Sequence, residues 1–365
     1  MKTILKEGKY AAKGKQVYLE VLRIMAIILV IFNHTGNNGF FLFSVSGKSI
    51  WTPVYLFCSI ACKIAVPLFW MISGSLLLGK EEPIKTVYRK RVLRMVIVLA
   101  VFSFIQYLYN LLFLGQSDIG GIVYFLNRLY TNKWATAYWY IYAYIGILIV
   151  LPVLRKLIAN MEEKDYKYLF TISILVNGAI PIVQYLAGKG QWTLNSRVFE
   201  NLLSMNVVYF IAGYYFGKVI KKESMTIKKA LIFLFVGGIA IAISCFMTKF
   251  QIAQTGSALE KDAQMFHNSL SIFPTCAVFY TMRFWFDHIR ISNRMTKILS
   301  ALGGATFGVM LIENIMRNQL KPMFESLKVH IHIFPACMVW VLCAWGAGTI
   351  ITLIMKQIPG LKKII

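Results

Sequence analysis

Long apolar blocks alternate with short polar segments along the whole chain, and the blocks centre on residues 19–36, 55–79, 93–114, 135–154, 168–187, 199–219, 230–248, 268–286, 298–316 and 332–355. A bilayer core of ~30 Å takes ~20 apolar residues of helix, so each block predicts one membrane span. Segment 119–130, opening Ile119-Gly120-Gly121, is too short to cross and predicts an interfacial or re-entrant piece before the fourth span. None of the linking segments has room for a separate catalytic domain. The expected organisation is a basic tail over 1–17, a ten-helix membrane domain over 18–356 and a short tail over 357–365. No internal repeat is visible, which disfavours the repeat-built transporter folds.

Composition agrees. Residues of the set AVILMFWYC make up 58 % of the chain, charged residues 15 %, and the mean hydropathy is +0.63. Soluble domains carry roughly 25 % charge, so a soluble globular protein is excluded. The net charge of +24 would suggest nucleic acid in a soluble chain. Its distribution says otherwise: 26 of the 39 Lys and Arg fall in the first segment, the even-numbered loops and the last segment, and 10 fall in the odd-numbered loops. Lys and Arg are retained on the cytoplasmic side. The charge therefore reads as topology, predicts an all-α integral membrane protein with both termini cytoplasmic, and leaves no case for a nucleic-acid partner.

Six cysteines (Cys58, Cys62, Cys245, Cys276, Cys337 and Cys343) sit in apolar stretches without CxxC spacing and read as inert small hydrophobes. His330-x-His332, lacking a third ligand, marks a polar lip before the last helix rather than a metal site. The first apolar run ends in Asn33-His34-Thr35-Gly36, not in a small-x-small cleavage signal.

Ionisable groups in hydrocarbon are costly and so are functional candidates. Glu20, Arg23 and His34 lie at helical spacings that put them on one face of the first helix, with His34 ~16 Å beyond Arg23 at 1.5 Å per residue. The alternative is that Glu20 and Arg23 snorkel to the inner interface and His34 caps the outer end. The second helix holds Lys63 in its outer half, with Pro67 as the expected kink, and then Ser73-Gly74-Ser75, a small-residue surface suited equally to close packing and to lining a ligand path. Arg91 and Arg94, three apart where the third helix is expected to begin, would face one way and suit phosphates, although any cytoplasmic loop carries such cations. Toward the outer side lie Glu200 beside Arg197 and Asn201, the aromatic belt starting at Tyr138 and Trp139, and Glu313 at the depth expected for His34. A carboxylate within reach of an imidazole orients it and raises its basicity.

These residues resemble the acyltransferase family 3 integral membrane proteins over about Tyr18 to Met355. The resemblance rests on Glu20-x-x-Arg23-x10-His34, on Val66-Pro67-Leu68-Phe69 leading into Ser73-Gly74, on Arg91-x-x-Arg94, and on Trp139 with Leu151-Pro152 bracketing the fourth helix. It implies transfer of an acyl group, usually acetyl from cytosolic acetyl-CoA as cosubstrate, to a hydroxyl of a glycan or lipid-linked sugar outside a bacterial plasma membrane. No tightly bound cofactor is implied, and self-association as a homo-oligomer is compatible with it. His34 would be the catalytic histidine, and Arg91 and Arg94 would handle the coenzyme A phosphates. One departure is Glu313, which stands where many members carry a histidine.

Together these readings assign Glu20 and Glu313 with His34 to catalysis, Arg23, Arg91, Arg94, Ser73 and Gly74 to the donor, and Lys63, Trp139 and Glu200 to the acceptor. His34 could act as general base or carry the acyl group briefly. The rival class is a multi-pass transporter or flippase for an amino acid, sugar or lipid-linked glycan, using the same buried charges as its pathway.

Overall fold

The computed structural model describes residues 16–47, 49–115, 120–187, 204–255 and 270–365. They form an all-helical chain: α1 Val17–Asn33, α2 Thr52–Leu77, α3 Ile84–Phe113, α4 Ile122–Tyr130, α5 Thr136–Ala159, α6 Glu163–Ala187, α7 Met205–Tyr214, α8 Ile227–Thr255, α9 Ile272–His288, α10 Asn293–Gln319, α11 Lys321–His330 and α12 Ile333–Met355. Among the described residues, seven helices (α2, α3, α5, α6, α8, α10 and α12) are long and apolar enough to cross a membrane. The other three apolar blocks hold shorter helices. α1 and α9 have 17 residues each, and the ten residues of α7 continue into five of π-helix at Tyr215–Val219. Large apolar side chains such as Leu231, Phe235 and Phe246 on α8 stand more than half exposed, a surface that suits lipid and not water. This is a multi-pass membrane protein.

Segment 119–130 yields α4, a nine-residue helix with Ile122 and Val123 exposed and Phe125 against Trp134. Two boundaries differ from expectation. α3 starts at Ile84, not near residue 93, because Pro83 holds an extended backbone (φ −59°, ψ 144°) at the N-cap position and the chain turns helical directly after it. α10 runs on to Gln319, which takes Arg317 out of the outer loop and into a helix.

The chain divides into two compact units, residues 1–79 with 158–303 and residues 80–157 with 304–365. In the first, α7 packs on the second half of α2, the C-terminal parts of both helices meeting near Tyr18. Gly74 lies against the Phe210 carbonyl and Gly213 against the Met71 backbone, so closely that a Cβ on either would run into the opposing main chain. Small residues permit that approach, which maximises van der Waals contact where lipid provides no hydrophobic drive. Further along, Gly217 meets Ser75 and Tyr18. Arg283 of α9, 9 % exposed, donates to the carbonyls of Phe216 and Ile220 and so caps the π-helical end of α7.

In the second unit, Gly308 of α10 takes Thr352 of α12, and Lys356 donates to the Gly304 carbonyl at 2.6 Å. Tyr138, 2 % exposed, donates to the Leu311 carbonyl at 2.9 Å. A polar stripe crosses this apolar interior. Gln106 donates to Asn110 at 2.7 Å and Asn314 to Gln106 at 3.4 Å, both partners on α3 being buried.

Candidate functional site

The candidate residues fall at four places, two in each unit. In the first unit, α1 ends at Asn33 and His34 is its C-cap residue, its N–H shared between the carbonyls of Val30 and Ile31. The chain beyond is fastened tightly. The Thr35 hydroxyl, buried, donates to the Phe32 carbonyl at 2.7 Å and accepts the Phe40 N–H at 2.9 Å, while Ser59 of α2 donates to the Phe40 carbonyl. Gly36 makes the turn with φ +56°, a conformation that costs glycine least.

Lys63 closes the arrangement. Its Nζ donates to Asn33 Oδ1 at 2.9 Å and stands 4.4 Å from the Phe40 ring centroid. It is delivered by a 3-10 turn, Cys62–Ile64, inside α2. The physical reason is Pro67, which has no N–H to offer the carbonyl of Lys63 four residues earlier. The expected kink is thus a local tightening of the helix. A cation is thereby held on the residue next to His34, and a fixed positive charge in such a place stabilises developing negative charge on oxygen.

At the other end of α1, Arg23 and Glu20 pair at 2.8 Å. Glu20 packs against Gly303 so closely that a Cβ there would strike it. Ser73 is partly exposed and Gly74 is buried. Of the two uses open to this small-residue surface, Gly74 serves the packing one, against α7.

In the second unit, Arg91 and Arg94 do not behave as a pair. α3 passes through a π-helical stretch, Tyr88–Val92, which breaks the register that three-residue spacing presumes. Arg91 makes a bidentate contact with Glu82 (Nη2 to Oε1 2.5 Å, Nε to Oε2 3.0 Å), whereas Arg94 Nε donates to the Ile364 carbonyl at 3.0 Å. Both lie inside the helix that Pro83 starts, so the orphan N–H groups expected beside them are at Ile84 instead. Glu82 also receives Arg155 Nη2 at 3.0 Å. These hydrogen bonds, Arg91's foremost, hold the Glu82 carboxyl well below its usual range, at about 2.

At the opposite end of this unit, Glu313 is 1 % exposed and pairs with Arg317 at 3.4 Å one turn along α10. Arg317 also donates to Asn314 Oδ1 at 3.0 Å, which ties the pair to the polar stripe on α3. Trp139 begins the α-helical part of α5 and is 39 % exposed, while its neighbour Tyr138 is the buried one. Glu200, with Arg197 and Asn201, lies outside the described residues. His332 is the N-cap of α12, accepting the Phe334 N–H, in keeping with a polar lip there.

Glu82, Arg155, Gln106, Asn110 and Arg317 escaped sequence reasoning. Gln106 and Asn110 carry a signal: with Ser103 they stand at i, i+3 and i+7 of an otherwise apolar helix, which sets three polar groups on one face. Glu82 and Arg155 carry none, since each is one charge among many near a helix end.

A family model described as an acyltransferase domain, that of acyltransferase family 3, matches residues 16–354. No curated protein and no solved structure matches the chain.

Proposed function

We propose, since the chain belongs to acyltransferase family 3 and is a membrane acyltransferase, that it moves acetyl from cytosolic acetyl-CoA to a hydroxyl of an extracytoplasmic glycan or lipid-linked sugar. In this reading ten helices span the plasma membrane and both termini are cytoplasmic. The observation that carries it is the fastened end of α1, where Lys63 is hydrogen-bonded to Asn33 beside His34. His34 takes the proton of the acceptor hydroxyl while the hydroxyl oxygen attacks the thioester carbonyl. The C–S bond breaks and coenzyme A leaves as a thiolate that recovers a proton. Alternatively, the imidazole first accepts the acyl group and then gives it to the hydroxyl. Lys63 faces the oxyanion in either course.

The remaining roles combine the family's arginine pair with the reading of the residues. Arg91 and Arg94 bind the donor phosphates and Arg23, with Ser73, lines the donor's way, while Trp139 offers the acceptor an aromatic face. Glu313 and Glu20 are the carboxylates assigned to proton handling, one in each unit.

Acetyl-CoA added to the full chain in detergent should raise its melting temperature, since a ligand bound only by the folded state stabilises it. A transporter for an amino acid, sugar or lipid-linked glycan has no reason to respond. A flat melting curve across millimolar acetyl-CoA would refute the donor assignment.

A further inference from the structure

The contact between Glu82, Arg91 and Arg155 is not what helix packing requires. Glu82 comes from the short segment between α2 and α3, where Gly79, Lys80 and Glu81 beside it are exposed. Its side chain is 21 % exposed, while those of Arg91 and Arg155 are 23 % and 10 % exposed. One carboxylate from the segment between α2 and α3 therefore spans two guanidinium groups, one on α3 and one on α5. The hydrogen bonds run from Arg91 Nε and Nη2 and from Arg155 Nη2 onto the two oxygens of that single carboxylate.

Arginine presents its donors in a planar fork that matches carboxylate and phosphate oxygens alike. A site that holds one of these anions from its own chain is shaped to hold the other from a ligand. A phosphate monoester or diphosphate offers oxygens enough to bridge the same two guanidinium groups. Glu82 can leave without disturbing a helix, because its backbone lies outside α3.

We propose that Arg155 is a further ligand of the donor's phosphates, acting with Arg91, and that Glu82 occupies their place until the donor displaces it. The inference rests on the donor assignment above and adds to it a residue and a competing group. Affinity for the donor is then set by the difference between two anions at one pair of arginines. The Glu82 carboxylate lowers that affinity and keeps free inorganic anions from settling there.

The test is coenzyme A binding to the full chain in detergent, by calorimetry, with pantetheine as the probe that lacks phosphates. R91Q, R155Q and E82Q are compared with the parent, and melting curves report whether each variant folds. Charge-assisted contacts make R155Q weaken coenzyme A by about tenfold or more, as R91Q does, with pantetheine unchanged. E82Q should tighten coenzyme A several-fold by removing the competitor. Glu82→Asp, too short to span both arginines, should fall between parent and E82Q. If R91Q loses affinity while R155Q matches the parent, Arg155 is no ligand and the inference is overturned with the donor assignment intact. If E82Q weakens binding, Glu82 positions the arginines and does not compete with the donor. A parent that does not bind coenzyme A removes the donor assignment itself.

Discussion

α1 and α3 both carry two charged residues three apart near one end, and the pairs end up in opposite situations. Glu20 and Arg23 sit in regular α-helix, where i and i+3 side chains are neighbours, and they bond to each other at 2.8 Å. Arg91 and Arg94 have the same spacing, but a π-helical stretch intervenes and their partners are Glu82 and the Ile364 carbonyl. Spacing predicts a shared face only while the helix keeps 3.6 residues per turn. In α3 five contiguous residues with hydrogen bonds one residue longer suffice to separate two cations that the sequence presents as a pair.

The regular helix therefore makes the stronger claim, and the largest expected effect belongs to it. His34→Ala should lower the rate of acyl transfer by at least the ~10² typical of a missing acid–base group, with acetyl-CoA binding and the melting temperature nearly unchanged. If His34 serves only as the residue that ends α1, the change costs about a kcal/mol of stability and leaves most activity. A folded His34→Ala protein that transfers at the parental rate would return α1 to a structural role.

The same contrast of regular and irregular helix recurs in the α2–α7 contact and can be tested there by stability alone. Gly74 meets the backbone of Phe210 in the α-helical part of α7, and Gly217, in the π-helical part, meets the Ser75 side chain. A methyl group against main chain forces the helices apart, at a typical cost of about 1–3 kcal/mol. A methyl group at Gly217 meets the Ser75 hydroxyl, which can rotate away, and the Ser75 Cβ at 2.8 Å, which cannot, so the helices must shift less than for Gly74, where the opposing main-chain oxygen is closer still. Gly74→Ala should thus lower the melting temperature in detergent more than Gly217→Ala, and equal losses would show that the π-helical contact is as rigid as the regular one.

Much of this architecture is legible from residues. Every long helix lies on an apolar block, because twenty apolar residues between polar segments have few other fates, and segment 119–130, with its nine-residue helix, is too short to span. Pro67 foretold a disturbance beside Lys63. The start of α3 is hidden in the sequence because basic residues at 85–91 look like a loop, and Pro83 is the one signal of a helix start there. Lys63 with Asn33, Glu82 with Arg91 and Arg155, and Glu313 with Arg317 needed the structure for a further reason. Two of these three contacts join residues far apart in the chain, and the third lies where the helix was expected to have ended.

The arginines of α3 give the next smaller effect. Were they an α-helical pair, Arg91→Ala and Arg94→Ala would be equivalent. Their separate partners predict otherwise: Arg91→Ala should weaken acetyl-CoA by roughly tenfold, at ~1.5–3 kcal/mol for a charge-assisted contact, and Arg94→Ala should weaken it less. Equal losses measured by calorimetry would restore the paired reading despite the π-helical stretch.

The smallest effect concerns the pH dependence of Glu82. Its carboxyl titrates at about 2 in the folded chain against an ordinary 4.5, because Arg91 and Arg155 hydrogen-bond to the ionised form. A folded value below the unfolded one means that the ionised group stabilises the fold. That stabilisation is complete above about 4.5, shrinks as the unfolded chain takes up a proton, and is gone once the pH passes below about 2. The group is partly in solvent and an arginine pair is screened there, so the contribution is of order 1 kcal/mol. The gap in melting temperature between the parent and Glu82→Gln should be constant from pH 7 to about pH 5 and narrow steadily toward pH 3. A gap that stays level to pH 3 would mean that Glu82 is not held by the two arginines in solution, and the irregular end of α3 would then be open to anions at all times.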